Sequence, residues 1–196
     1  MKFPESTLQK KFPHPQARRY ALYFPSCRLC YNYIPKNACS TVKKALLVSE
    51  LGSSALDDLL SKSTLHQVAN QFCVDSLPLE ETSTALDSFR LLVLRHPVER
   101  LASAFFDKFF QPYINSGTTK HESFVHDFLK RNSIHLDSFT FLDFLRIAGQ
   151  TRPLELNDHF RPQSCLVAFN SYDLVFSTES LKEISIIETG DCRLDL

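Results

Sequence analysis

The sequence predicts an α/β fold: a P-loop-like three-layer arrangement in which a central parallel sheet is flanked by helices. Three observations predict it. Phe89-Arg-Leu-Leu-Val-Leu-Arg95 has an unbroken apolar centre, Leu91 to Leu94, which suits a parallel strand covered on both faces. Cys30 to Ile34 is a second short apolar run, stopped by Pro35. Each run is followed by apolar residues at helical spacing, and strands alternating with helices build layers around a parallel sheet.

From the N-terminus, residues 1–19 are polar and broken by Pro4, Pro13 and Pro15. They read as an irregular arm whose Lys10, Lys11, Arg18 and Arg19 form a solvated basic face. Tyr20–Phe24 reads as a short strand ended by Pro25-Ser26, and Cys30–Ile34 as the next. Lys36 to Cys39 is a polar turn. Ser40–Leu51 reads as a helix, with Val42, Ala45, Leu46 and Ser49 on one side and Gly52 as its stop. Lys43 and Lys44 are expected on its solvated side. Ala55–Leu60 is a further helix, Ser63–Val68 a polar turn, and 69–88 an unassigned stretch broken by Pro78. After the Phe89–Arg95 strand, Pro97 occupies a favourable first helical position. The helix Val98–Phe109 repeats Leu101, Phe105 and Phe109. Residues 111–120 read as a loop, Glu122–Lys130 and Ser138–Ala148 as amphipathic helices, and 150–163 as a polar segment. Cys165–Phe169 and Tyr172–Phe176 read as short strands, with a helical turn at Ser180–Glu183.

A chain of 196 residues suits one domain, 1–196. Lys+Arg and Asp+Glu balance at 22 each, so the global positive field of a nucleic-acid binder is missing and any anion site is local. No apolar run reaches membrane-span length and no signal-peptide core opens the sequence, which points to a cytoplasmic protein. If the sequence is clipped from a longer protein, that inference fails. Of the six cysteines only Cys27 and Cys30 have metal-type spacing, with no second pair. Reduced thiols and no metal site are expected.

The first strand–turn–helix unit carries Lys36 in its turn and Ser40 and Thr41 at its helix start; free N–H groups and the helix dipole make such a start an anion site. The second carries Arg95, then Arg100 and Ser103. Ligands of parallel sheets bind at the carboxyl ends of the strands, so two such turns suit a ligand with two separated anionic groups. A triphosphate loop needs glycines to wrap its phosphates, and Gly52, Gly117, Gly149 and Gly190 all lie outside the first turn.

Pro35-Lys-Asn-Ala-Cys-Ser-Thr41 resembles the 5′-phosphosulfate loop of carbohydrate sulfotransferases that use 3′-phosphoadenosine 5′-phosphosulfate, notably the chondroitin 4-O/dermatan branch and its bacterial relatives. Arg95-His-Pro-Val-Glu-Arg-Leu-Ala-Ser-Ala-Phe105 resembles their 3′-phosphate segment. Asp158-His-Phe-Arg-Pro-Gln163, with the following cysteine and Tyr172-Asp173, resembles a third. The resemblance implies that Lys36 and the backbone of Asn37, Ala38, Cys39 and Ser40 hold the sulfuryl group and 5′-phosphate, with Ser40 and Thr41 donating hydroxyl bonds. Arg95 and Ser103 would hold the 3′-phosphate. It implies in-line sulfuryl transfer to a carbohydrate hydroxyl without a metal. A general base is then needed, for which His66 is the first candidate and His159 the second, with Asp158 beside it. Phe160 stands where many relatives have Trp, and the chain ends soon after Glu179, where relatives continue with another helix. Two other readings are a non-catalytic binder of nucleotide or anionic sugar, and a nucleotide kinase-like enzyme.

Overall fold

The computed structural model describes residues 15–110, 122–184, 186–189 and 192–195. The expected loop at 111–120 and the basic residues Lys10 and Lys11 lie outside them. The described residues form two compact units, one running to Arg95 and resuming at Gln163, the other spanning His96–Pro162.

The first unit is built on strands β1 (Ala21–Phe24), β2 (Leu29–Asn32), β3 (Phe89–Leu94) and β4 (Leu174–Ser177). They lie in the order β1-β2-β3-β4, with β1 antiparallel to β2 and both other pairings parallel. Side chains alternate between the two faces of the sheet. Leu22, Phe24, Leu29, Tyr31, Leu91 and Val93 enter one core, together with Val42, Leu46 and Leu47 of helix α1 (Cys39–Leu51) and Leu56 of α2 (Ser53–Leu60). Val68 and Ala69 of α3 (Leu65–Asn70) complete that side. Ala21, Tyr23 and Cys30 face the other way, against Ala85 and Leu86 of α4 (Leu79–Leu86). The expected α/β architecture, a mostly parallel sheet covered by helices on both faces, is what forms. After β4 come helix α8 (Thr178–Glu183) and a separate antiparallel hairpin, β5 (Ile186–Thr189) and β6 (Cys192–Asp195). Ile187 and Leu194 of the hairpin join the α1 side of the core.

The second unit holds α5 (Pro97–Phe105), a π-helical turn Phe106–Phe110, α6 (Glu122–Arg131) and α7 (Phe141–Gln150). Its core is phenylalanine: Phe105, Phe109, Phe139, Phe144 and Phe160 are buried together. Phe144 and Phe160 have ring centroids 4.7 Å apart.

Four expectations change. Ser63–Val68 is not a turn: α3 starts at Leu65 behind a capping box, in which Gln67 N–H donates to Thr64 Oγ1 (3.3 Å) and Thr64 N–H donates to Gln67 Oε1 (2.9 Å). Within 69–88, Pro78 caps α4 rather than only breaking the chain. Cys165–Phe169 is not a strand, because side chains take its backbone groups: Ala168 N–H reaches Asn32 Oδ1 at 2.8 Å and Phe169 N–H reaches the Tyr172 hydroxyl at 3.1 Å. Cys27 is disulfide-bonded, whereas Cys30, Cys39, Cys73 and Cys165 are the free thiols expected.

Candidate anion-binding site

The first turn sits at the carboxyl end of β2, where the parallel neighbour β3 also ends. Its backbone does without glycine what usually calls for it. Lys36 has φ 73° and Ala38 φ 54°, both left-handed, with Asn37 between them outside that region. Each such non-glycine residue costs about 1–2 kcal/mol. Asn37 N–H donates to the Ile34 carbonyl at 3.1 Å, so it is not turned to a ligand as the resemblance implied; a turn of this kind can receive an anion on the N–H groups that follow it. Helix α1 then begins at Cys39 with Ala38 as its N-cap and no side-chain cap bond. The first-turn N–H groups therefore have no intrahelical acceptor, and the positive end of a 13-residue helix adds to them. Ser40 and Thr41 are exposed in that first turn, and Lys36 is half-buried.

Buried amides pin the turn in place. Asn37 is fully buried and donates from Nδ2 to the Val93 carbonyl (2.9 Å) and to Gln163 Oε1 (2.5 Å). Its Oδ1 is buried with no hydrogen-bond partner. Gln163 also accepts from Arg95 N–H (3.2 Å) and donates from Nε2 to the Arg95 carbonyl (2.8 Å). Arg95 Nη1 donates to the Lys36 carbonyl at 3.2 Å. Lys36, Asn37, Arg95 and Gln163 thus form one hydrogen-bonded group, bringing together the turns that follow β2 and β3. In the sequence Gln163 is only the end of the third resembling segment; its role as the hub depends on a contact across more than a hundred residues, which no local pattern reveals.

Lys43 corrects an expectation. It is not on a solvated face but 1% exposed. Its Nζ lies 3.5 Å from the centroid of the Tyr33 ring and 3.3 Å from His66 Nδ1. Burial lowers its pKa from the ordinary 10.5 to about 8. His66, on α3, is exposed, and Lys43 is the partner it meets on its Nδ1 side.

In the second unit, Ser103 is half-buried on α5, and His159 is half-buried in a turn where its N–H donates to Asn157 Oδ1 at 3.0 Å. Asp158 is committed to Arg161, 3.1 Å away. Arg100, 2% exposed, donates to the carbonyls of Arg161 (2.8 Å) and Asp158 (2.9 Å). Arg161 in turn holds the carbonyls of Pro153, Leu154 and Leu156.

Comparison with known proteins gives this arrangement its context. A model for the sulfotransferase family matches residues 19–188. Carbohydrate sulfotransferase 14 of Danio rerio is 30% identical over 164 residues, covering 79% of this chain and 43% of that protein. Carbohydrate sulfotransferase 9 of Homo sapiens is 28% identical over 169 residues, 80% of this chain and 37% of the relative. Carbohydrate sulfotransferase 11 of Rattus norvegicus is 28% identical over 172 residues, 80% and 48%. The chain therefore spans about half the length, or less, of these relatives. No solved structure matches it at comparable significance.

Proposed function

Since the chain belongs to the sulfotransferase family, we propose that it moves a sulfuryl group from 3′-phosphoadenosine 5′-phosphosulfate to a hydroxyl of a carbohydrate. The observation that carries this reading is the turn 36–41, where two left-handed non-glycine residues and an uncapped helix start converge beside Arg95.

The donor set fits such a ligand: backbone N–H groups, two hydroxyls, a lysine and an arginine, with no carboxylate among the groups that form it. Lys36 and the N–H groups of Ala38, Cys39 and Ser40 are assigned to the sulfuryl group and 5′-phosphate, with the Ser40 and Thr41 hydroxyls donating to them. Arg95 is assigned to the 3′-phosphate, which its planar fork suits. Ser103 for the 3′-phosphate and His159 as second base candidate rest on the sequence resemblance. The acceptor oxygen forms a bond to sulfur as the bond from sulfur to the bridging oxygen breaks. Lys36 offsets the charge that builds on that leaving oxygen. The acceptor proton passes to a base, for which His66 is first choice. The step draws on no metal.

The disulfide at Cys27 favours an oxidising compartment over the cytoplasm, so we place this activity in a secretory lumen. Among the described residues no helix is long and apolar enough to cross a membrane.

Thermal unfolding with added 3′-phosphoadenosine 5′-phosphate tests the site. The nucleotide raises the midpoint of the wild-type chain, ATP with Mg²⁺ does not, and Lys36→Ala and Arg95→Ala each abolish the rise. Stabilisation by ATP with Mg²⁺ alone would sink the reading. Nucleotide binding without sulfate transfer to any carbohydrate would leave the non-catalytic binder.

A further inference from the structure

We propose that Lys43 is a positioning residue that decides which ring nitrogen of His66 carries the proton, and thereby when His66 can act as a base. This deepens the sulfotransferase reading and rests on it for the catalytic consequence, though not for the pairing itself.

The geometry is specific. Lys43 lies four residues into α1 from Cys39, about 6 Å along the axis at the usual helical rise, on the same helix whose start forms the anion site. It is nearly fully buried, and its ammonium nitrogen has two partners on different elements: the Tyr33 ring at 3.5 Å and His66 Nδ1 at 3.3 Å. Long cationic side chains are seldom buried without a role for the charge. The other titratable groups acting on it are Cys39 on its own helix and Cys73 beyond α3. Burial pushes the Cys73 thiol up. Burial also brings the lysine to about 8, close to where it exchanges its proton, while the electron-rich Tyr33 face favours the ammonium.

Two states follow. When Lys43 is an ammonium it donates to Nδ1, so neutral His66 must carry its proton on Nε2 and has no lone pair there for an acceptor hydroxyl. When Lys43 is an amine the bond reverses: Nδ1–H donates to Nζ and the lone pair lies on Nε2. In that state, as the acceptor oxygen bonds to sulfur, its proton goes to Nε2 and the Nδ1 proton moves to Nζ. The bridging oxygen leaves with the bonding pair. His66 ends neutral and Lys43 ends as the ammonium, which returns its proton to water before the next turnover. The imidazole never has to hold a full positive charge beside a buried cation.

Long-range ¹H–¹⁵N spectra of the labelled chain, with the His66 signals assigned by their loss in His66→Gln, read the tautomer directly. In the wild type, Nδ1 is the acceptor nitrogen at about pH 7 and becomes the protonated one as the pH rises through about 8. Lys43→Met removes this pH-dependent exchange, and Lys43→Arg, which stays charged, holds Nδ1 as the acceptor throughout. A Lys43→Met spectrum that titrates like the wild type overturns the proposal. Should Lys43→Met fail to fold, Tyr33→Leu replaces it: without the ring the exchange moves to lower pH, and an unmoved exchange is equally fatal. The catalytic consequence is read as sulfuryl transfer from the donor to desulfated dermatan. The wild-type rate climbs through the pH at which the tautomer changes, and Lys43→Met loses that limb while still binding 3′-phosphoadenosine 5′-phosphate. Full transfer by His66→Ala would remove His66 as base and leave the tautomer result standing, which separates this inference from the assignment beneath it.

Discussion

The turns after β2 and β3, and helix α5 with the loop 152–162, both carry cationic side chains, and they use them in opposite ways. Arg100 and Arg161 are 2% and 7% exposed, and their guanidinium groups are spent on five backbone carbonyls and the Asp158 carboxylate. Lys36 and Arg95 stay half-exposed, with the backbone around them held mainly by amides, to which Arg95 adds a bond to the Lys36 carbonyl. The comparison teaches that position within a family-like motif does not separate a half-exposed cation, of the kind we propose for a ligand, from a buried structural one. Arg95 and Arg100 stand five residues apart in the same motif, and burial together with backbone partners divides their roles.

Removing a structural cation should have the largest effect. Arg161→Ala leaves three carbonyls and a carboxylate without their donor, and Arg100→Ala leaves two carbonyls. Each should cost about 3 kcal/mol or more, measured by denaturant unfolding; losses below about 1 kcal/mol would erase the contrast. Next come the cations proposed to meet the ligand. Lys36→Ala and Arg95→Ala should change unliganded stability by about 1 kcal/mol or less. Both should remove the ligand stabilisation, which is about 2.7 kcal/mol for the wild type at a hundredfold excess over Kd.

Lys43 provides a third, intermediate case, a buried cation without a carboxylate partner among the described residues. Its folded-state value of about 8 lies below the ordinary 10.5, so its burial cost is in full force below pH 8 and fades as the pH rises towards 10.5. The difference in unfolding free energy between Lys43→Met and wild type should therefore shrink across that window, by on the order of 3 kcal/mol. Taking the difference cancels Cys30 and Tyr172, whose burial pushes both up to about 12 and whose pull has the opposite sign. A difference that stays constant with pH would mean that Lys43 is not ionising there. The smallest effect belongs to the strained turn. Ala38→Gly relieves the left-handed backbone and should stabilise by about 0.5 kcal/mol, the relief exceeding the added chain entropy, with nucleotide binding kept.

The sheet was legible because β2 and β3 are short apolar runs next to helical patterns, and the phenylalanine core of the second unit because Phe105 and Phe109 keep helical spacing. The α3 cap was also written in the chain, as Thr64 and Gln67 three residues apart, but a polar surface hid it: only Val68 and Ala69 of that helix are buried. Lys36 and Arg95 could be named from local motifs because a turn and its helix are contiguous. Lys43 could not. Its nitrogen meets Tyr33 and His66, which lie on separate segments, and helical spacing alone puts a lysine there on the outside. The two-residue strain in the first turn was hidden for a related reason, since lysine and alanine carry no preference for left-handed backbone.

Gln163 has one more consequence. Its side-chain amide pairs with both the N–H and the carbonyl of Arg95, as a neighbouring strand would. Arg95 is the last residue before the second unit and Gln163 the first after it. In topological terms the second unit is an insert that leaves and re-enters its host through a single stapled doorway. With that doorway closed by one glutamine, the insert can vary in length and sequence over evolutionary time while β3 and the turn beyond it keep their register.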